Sequence, residues 1–483
     1  MVWSQIEATP PHLTYLLLSA FLITYALFSH FIRNALHLSE PPLATLLGII
    51  FGPSGFNVLD PTNWGFQDHV TQEVTRVIIG VQVFVIAVQL PKAYLARHWK
   101  SVAMMLGPVM TFSWLITALF IHLILRTSVT TALITSACLA PTDPVLAASV
   151  LAESRFSNRV PARLKNLLAC ESGCNDGVSF PFIYIGLFVA IQPTAALALR
   201  DWSLITILWQ CIFGILLGTL IGFVSNRLLR ISEARDYITS SSFLVFYFLL
   251  ALFCVGVAST LGVDDFLVAF GAGTGFKAWD GWFAKKTRRT NLPDVLDLLL
   301  NSSMFVYFGA IIPWSHFIPS KVTPEITPMR LVGLLILIIL LRRIPFVLAM
   351  KPWTPDVRTY REALFCGHFG PMGLGALFLA IEARAQLDTK SAIPLQHSLQ
   401  HPEHEFAIET IWLVVCFIVL GSILIHGLSV AAISVASHFS RPTGERVAFV
   451  GGEREPLRGM VHGDGGGDSE PSDSGEEDDM DGD

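Results

Sequence analysis

The sequence predicts an all-helical protein that crosses a lipid bilayer about thirteen times. Three observations support this fold class. Only 14% of the 483 residues are charged, whereas a soluble chain carries roughly a quarter. Hydrophobic residues make up 52% of the chain, and its mean hydropathy is +0.57. Apolar stretches of about 20 residues, long enough to cross the hydrocarbon core, recur from end to end. A soluble globular protein is thereby excluded.

Thirteen candidate spans follow one another along the chain. The first is preceded by no basic leader and followed by no small-residue cleavage site, so it is predicted to be a span and not a signal peptide. The second, fifth, ninth and twelfth are short or interrupted by glycine and proline. Broken spans at matching places in two halves, here the fifth and the twelfth, are typical of a transporter's binding site. The spans are 12–32, 42–59, 73–91, 101–125, 128–152, 164–191, 202–226, 237–261, 264–277, 293–313, 331–350, 362–383 and 407–437.

The distribution of basic residues predicts the orientation of these spans. Connections after odd-numbered spans hold 21 of the 32 Lys and Arg residues when those at the adjoining span ends are counted with them, Arg342 and Arg343 included, and connections after even-numbered spans hold 6. Basic loops remain on the cytoplasmic side of a membrane. The N-terminus is therefore expected outside the cell and the C-terminus in the cytoplasm.

Two domains are predicted: a transmembrane domain over 1–440 and a disordered cytoplasmic tail over 441–483. Residues 464–483 hold ten of the 38 acidic residues and no basic residue. Such a segment is expected to remain solvated. Ser469, Ser472 and Ser474 lie among these acids, which suits either phosphorylation and the binding of regulatory proteins or simple solubilisation.

The stretch CESGCNDGVSF (170–180) places polar side chains inside span 6. On a helix, Ser172, Asn175, Asp176 and Ser179 recur at i, i+3, i+4 and i+7 and share one face. Glu171 lies beside that face. One acid at the bilayer centre costs roughly 2.5–3.5 kcal/mol on insertion scales, so two must face protein, water or ions. The pattern predicts a buried ion or proton site, with purely structural carboxylates as the alternative.

Span 5 contains the sequence Pro141-Thr142-Asp143-Pro144. Each proline disfavours helix in the residue before it, and Pro144 also removes a backbone donor. The span is therefore expected to unwind and expose carbonyl oxygens. These oxygens and the negative end of a half-helix suit a small cation. A simple proline kink capped by Asp143 is the alternative.

Three further residues are candidates for proton handling. Asp264 and Asp265 open span 9, and one of two adjacent carboxyls can readily hold a proton; two hydrated boundary acids are the alternative. His368 lies in broken span 12. It could relay protons, or it could simply pack through a hydrogen bond.

Two adjacent arginines, Arg342 and Arg343, lie at the inner end of span 11. Snorkelling to the cytoplasmic interface explains one of them. The other could pair with a buried acid such as Glu171. The residues alone do not decide which arginine does so.

Five motifs occur in order across both halves: TDPV, ESGCNDG, GVDDFL, LLLRRIPFVLAMKP and EALFCGHFGPMGLGALF. Together they resemble the fungal plasma-membrane sodium/proton antiporters, on the cation/proton antiporter 1 branch of the monovalent cation:proton antiporter superfamily. The likeness covers residues 12 to 437, and ESGCNDG preceded by TDP is its most specific part. It implies a fold of two inverted repeats with crossed broken helices, and a homodimer.

The resemblance also implies roles for the site residues. Asp176 would bind cation and proton alternately, and a neighbouring Asn175 is expected of electroneutral members. Thr142 and Ser172 would add oxygen ligands for the transported Na⁺. Asp143 would shape the broken helix.

The remaining candidates follow the family pattern in part. Glu171 would pair with an arginine, and Asp264 and Asp265 match a paired-acid motif associated with transport in fungal members. Gln89 stands where related fungal sequences tend to have Glu, which leaves the ion preference open. The segment GHFGPMG lacks the arginine of the GLRG-like motif of animal exchangers, so Arg342 or Arg343 must supply any partner for Glu171.

The expected activity is secondary active exchange of Na⁺ or Li⁺ for H⁺ across the plasma membrane, with K⁺ as a third candidate cation. Such exchange would confer sodium and lithium tolerance and pH homeostasis. No catalytic residue, resident cofactor or nucleic-acid partner is expected. The alternatives are an endomembrane K⁺/H⁺ exchanger, a cation channel, and an intramembrane aspartyl protease or metalloprotease. The sequence has no HExxH motif and no GxGD-type acid, which argues against both proteases.

Overall fold

The computed structural model is helical and has no strand in the residues that it describes, which are 9–36, 38–65, 67–143, 146–147, 160–277, 292–394 and 399–439. Short 3₁₀ or π-helical turns adjoin several of its α-helices. The α-helices are α1 (Pro10–Asn34), α2 (Glu40–Phe51), α3 (Gln67–Gln89), α4 (Tyr94–Met104), α5 (Met110–Leu125), α6 (Val129–Cys138), α7 (Ala162–Ile191), α8 (Ala195–Asp201), α9 (Gly214–Ala234), α10 (Ser240–Leu261), α11 (Asp265–Lys277), α12 (Leu292–Ile311), α13 (Pro328–Leu341), α14 (Ile344–Met350), α15 (Tyr360–His368), α16 (Leu374–Thr389) and α17 (Glu405–Phe439).

Within the described residues, every predicted span contains helix; residues 144–145 and 148–152 of predicted span 5 lie outside them. Within the described chain, seven helical stretches are long and apolar enough to cross a membrane, and four further apolar helices are shorter. The all-helical membrane fold is therefore confirmed, while thirteen crossings stay a prediction. The seven long stretches are Pro10–Asn34, Gln67–Gln89, Tyr94–Leu125, Ala162–Ile191, Ala195–Ala234, Pro328–Trp353 and Pro402–Ser429.

Spans 5 and 12 are broken, as predicted, and the two breaks touch. Helix α6 ends at Cys138, and residues 139–143 are not helical. Helix α15 ends at His368, and α16 begins only at Leu374. The backbone N–H of Asp143 donates to the carbonyl oxygen of Pro371 at 2.7 Å. The predicted crossing of two discontinuous helices is confirmed.

Small residues let α9 approach α11 closely. Gly218 and Gly222 lie one turn apart on α9, and a Cβ at either would overlap backbone carbonyl oxygens of α11, those of Val268 and Ala272. Spacing of small residues at every fourth position is a common device for packing membrane helices backbone to backbone. It fixes α11, and with it the acids at the start of α11, against the interior of the bundle.

The helices differ sharply in how much of their surface is covered. In the most apolar part of α1, only 6% of the residues are buried inside the protein. The corresponding share is 67% for α3 and 78% for the stretch Pro402–Ser429, which includes most of α17. The broken helices α6 and α16 contact this buried set. Residues 441–483, predicted to form the tail, lie outside the described residues.

Candidate ion-binding site

The polar stripe of span 6 lies in the interior of the protein, on α7. Ser172, Asn175, Asp176 and Ser179 are all buried, and Asp176 is only 1% exposed. Helix α7 is continuous over Ala162–Ile191 in spite of these polar residues. Since lipid cannot satisfy them, their partners must come from neighbouring helices or from an ion.

Asp176 has no hydrogen-bond partner in the described structure. Both of its carboxylate oxygens are buried and unpaired, and so is Oδ1 of Asn175. The first turn of α16 presses against it, because a Cβ at Gly375 would overlap Asp176 Oδ1. A buried carboxylate without a partner is costly unless it binds a proton or a cation.

Thr142 of the broken span joins the stripe. The amide of Asn175 donates to Thr142 Oγ1 at 2.7 Å, and Thr142 Oγ1 lies 2.9 Å from Ser172 Oγ. This chain of bonds leaves the side-chain oxygen Oδ1 of Asn175 unpaired, like both carboxylate oxygens of Asp176. Hard oxygen ligands of this kind suit Na⁺ better than soft metals.

Asp143 caps two half-helices. Its Oδ1 accepts the N–H of Leu146 at 3.0 Å, and its Oδ2 accepts the N–H of Leu374 at 2.7 Å. Leu374 begins α16. A carboxylate at a helix N-terminus interacts favourably with the helix dipole. This geometry gives Asp143 a capping role at the crossing.

Arg342 performs the opposite task at the other two half-helix ends. Its guanidinium donates to the carbonyl of Leu139 at 2.5 Å, just past the end of α6, and to that of Gly370 at 2.6 Å, just past α15. A cation near a helix C-terminus is favourable for the same electrostatic reason. The crossing is thus held by one buried cation and one buried anion, Arg342 and Asp143.

Arg343 forms a two-pronged ion pair with Glu171. Its Nη2 lies 2.7 Å from Glu171 Oε2, and its Nη1 donates to Oε1. Its Nε also donates to the carbonyl of Cys366 at 3.0 Å. Because Arg342 is committed to backbone carbonyls, Arg343 is the partner that the sequence left open.

The paired acids of span 9 have different surroundings. Asp264 Oδ1 accepts the N–H groups of Phe266 and Leu267 at 2.9 Å and so caps α11, while Oδ2 is buried and unpaired. Asp265 Oδ2 lies 3.1 Å from Arg76 Nε, an ion pair without hydrogen-bond geometry. Asp264 also faces Gly177, the residue after Asp176, and therefore borders the site.

His368 contacts helix α17 and not the residues of the ion-binding site. Its Nε2 lies 2.9 Å from Ser429 Oγ, and its ring centroid lies 5.2 Å from that of His426, both on α17. The structure does not bring it together with Thr142 or Asp176.

Gln89, which stands where related fungal sequences tend to have Glu, is exposed at the last position of α3.

Among the buried acids that the sequence did not single out, Glu382 on α16 lies nearest in its helix to the site residue Gly375. Glu382 lies one residue before the predicted end of span 12 and was not among the predicted site residues. Its spacing of seven residues from Gly375 placed it on the same helical face, and that signal could have identified it.

Two broken helices that cross beside a buried, unpaired carboxylate are typical of secondary transporters. The chain belongs to the sodium/hydrogen exchanger family: the family's transmembrane model matches residues 17–436. Because members of this family are transporters, the protease alternatives lose their support.

Several curated fungal proteins are similar to this chain. A probable Na⁺/H⁺ antiporter of Schizosaccharomyces pombe is 46% identical over 435 residues, covering 89% of this chain and 57% of its own length. Na⁺/H⁺ antiporter 2 of Zygosaccharomyces rouxii is 43% identical, covering 92% of this chain and 55% of its own. This chain thus spans about half the length of these relatives. A second Na⁺/H⁺ antiporter of S. pombe is 34% identical, and the match covers 89% of this chain and 92% of that protein's own length.

A solved structure shares the fold. The sodium proton antiporter MjNhaP1 of Methanocaldococcus jannaschii superposes with a TM-score of 0.62, over 88% of this chain and 99% of its own. The two sequences are 19% identical, so the likeness concerns architecture alone.

Proposed function

We propose that this protein is a secondary active antiporter that exchanges Na⁺ or Li⁺ for H⁺ through Asp176. The observation that carries the proposal is the buried carboxylate of Asp176, which has no protein partner. The fungal relatives bear the name of Na⁺/H⁺ antiporters, and that name supports the same cation pair.

Competition for one carboxyl group provides the coupling. Asp176 binds either a partly dehydrated cation, with oxygens of Thr142, Ser172 and Asn175 nearby, or a proton. Cation and proton cannot occupy the group together, so each return step carries the other ion. Cyclic exposure of the site to either side then converts a proton gradient into cation efflux.

The crossing supplies the moving frame for this cycle. Asp143 and Arg342 tie four half-helix ends to one another. Spans 5 and 12 therefore move as one unit while α7 carries Asp176 alongside. Buried charges with complete partners keep such a unit rigid, and a rigid unit is what alternating access requires.

Three finer properties complete the proposal. Asn175, in place of a second acid, favours one-for-one electroneutral exchange. The resemblance to fungal plasma-membrane antiporters favours the plasma membrane, and the loop charges favour an external N-terminus and a cytoplasmic acidic tail. The exposed apolar surface of α1 suits a homodimer or lipid contact.

Purified protein in liposomes loaded with a pH-sensitive dye tests this function. Addition of Na⁺ or Li⁺ after an acid-inside pH gradient is imposed should dequench the dye, and clamping the voltage with K⁺ and valinomycin should not change the rate. A response to K⁺ alone, in a series without valinomycin, would favour the K⁺/H⁺ exchanger alternative. Cation-driven current without proton movement would assign a channel and overturn the proposal.

A further inference from the structure

Glu382 occupies a second buried acidic site on α16. Gly375 abuts Asp176, and Glu382 follows it by seven residues, about 10 Å along the helix axis. The residue is 3% exposed. Its Oε1 accepts the hydroxyl of Tyr184 at 2.8 Å, and its Oε2 accepts the amide of Gln72 at 2.9 Å. Both hydrogen-bond donors are neutral, so in the described structure Glu382 is buried without an ion pair.

An aromatic layer separates Glu382 from Asp176. Phe378 lies one turn before Glu382 on α16, and Phe180 lies one turn after Asp176 on α7. Phe266 of α11 packs edge-on between them, with ring centroids 4.9 Å from Phe378 and 6.4 Å from Phe180. Two polar levels are thus divided by a single layer of rings.

Charged groups flank this layer on one side. Asp264 borders the Asp176 site, and the neighbouring Asp265 pairs with Arg76 of α3. The guanidinium of Arg76 lies over the ring of Phe378, 5.4 Å from its centroid. Arg76 and Asp265 are therefore the charged groups that face Glu382 from α3 and α11, and Tyr184 is the titratable group that faces it from α7.

Resting on the exchange function above, we propose that Glu382 is a proton-relay residue for Asp176. It takes up a proton at the end of the bundle where α3 begins and passes it across the aromatic layer, by way of the Asp264–Asp265 side. The carboxylic acid of Glu382 becomes a carboxylate as the carboxylate of Asp176, releasing its cation, becomes an acid. Its neutral partners allow this change without the breaking of an ion pair. In the orientation predicted from the loops, this end is external, where protons enter.

Exchange rates of four proteins test the relay: wild type, Glu382→Gln, Glu382→Asp and the control Gln386→Met. Gln386 donates to the Tyr184 hydroxyl at 3.2 Å but has no titratable group, so its replacement tests the hydrogen-bond network alone. We expect Glu382→Gln to lower the maximal rate about tenfold, to flatten its pH dependence, and to leave the KM for Na⁺ within about twofold. Glu382→Asp should keep the wild-type pH profile, and Gln386→Met should resemble wild type. Wild-type rate and pH profile in Glu382→Gln would overturn the relay, and so would an equal loss in Gln386→Met.

A spectroscopic measurement separates this inference from the transport function. Infrared difference spectra of the solubilised protein, recorded across a pH titration, should contain a protonated-carboxyl band that Glu382→Gln removes and Gln386→Met retains. If the wild type exchanges no cation but the band is present, the exchange function fails while Glu382 still holds a proton. If the band is absent, Glu382 is not a relay, whatever the liposomes show.

Discussion

Glu171 and Asp176 lie five residues apart on the same buried helix, yet their surroundings are opposite. Glu171 meets the guanidinium of Arg343 with both oxygens. Asp176 has no partner for either oxygen. Both acids are nearly inaccessible to solvent. The same side-chain chemistry at the same depth therefore serves two purposes: one carboxylate is neutralised by the protein, and the other is kept for an ion that comes and goes.

The contrast shows what makes a buried acid functional. A carboxylate with a bidentate arginine is fixed in charge and position, because removal of either member leaves an uncompensated charge. A carboxylate without a partner can exchange ligands without breaking the fold. Four changes, from the largest expected effect to the smallest, test whether this distinction holds.

Asp176→Asn should have the largest effect on transport. An amide of the same shape cannot exchange a proton for a cation, so Na⁺-dependent proton flux should fall by about 100-fold or more. The thermal unfolding temperature should stay equal or rise, because a buried unpaired charge has been removed. Dye dequenching in liposomes and unfolding in detergent are the two measurements. Normal exchange in this variant would refute the assignment of the site.

Arg343→Met should have the largest effect on stability. It leaves Glu171 buried and unpaired, at a cost of about 3–5 kcal/mol, and the protein should unfold at a markedly lower temperature. The double variant Glu171→Gln/Arg343→Met restores an uncharged pair and should recover most of that loss. Comparison of the two single variants and the double variant gives the coupling energy. Additive effects would mean that the pair is not coupled as the geometry requires.

The sequence predicted the helices and the stripe of α7 because both depend on local pattern. Runs of apolar residues determine spans, and the i, i+3, i+4 spacing determines a face, without knowledge of the neighbours. Proline flanking Thr142-Asp143 likewise predicted the break. The partner of Glu171 could not be predicted, since Arg342 and Arg343 are adjacent, both are buried, and only packing decides which of them reaches Glu171. Glu382 was missed for the same reason: an acid near a span end becomes buried only when other helices cover it.

Gly375→Ala should reduce transport by crowding the unpaired acid and not by altering its chemistry. The added Cβ would overlap Asp176 Oδ1, so α16 or the carboxylate must shift. Displacement of a reacting group by a fraction of an ångström lowers rates steeply, and a loss of about tenfold or more is expected. Gly333→Ala is the matched control, since its added Cβ meets nothing within 4 Å. Equal activity of the two variants would show that α16 is not pressed against Asp176.

Thr142→Val should have the smallest effect, on affinity more than on rate. The change keeps the shape of the side chain but removes the hydroxyl that accepts from Asn175 and bonds Ser172. Loss of one oxygen ligand and of these two hydrogen bonds should weaken cation binding by about 1–1.5 kcal/mol, so the KM for Na⁺ should rise about five- to tenfold while the maximal rate stays within about threefold. Thr135→Val is the control, because the Thr135 hydroxyl is buried but bonds, among the described residues, only the carbonyl of Thr131 in its own helix. If both variants raise the KM equally, the effect comes from helix packing and Thr142 is no ligand. If only Thr142→Val does so, the unwound loop contributes directly to the place where Asp176 holds its cation.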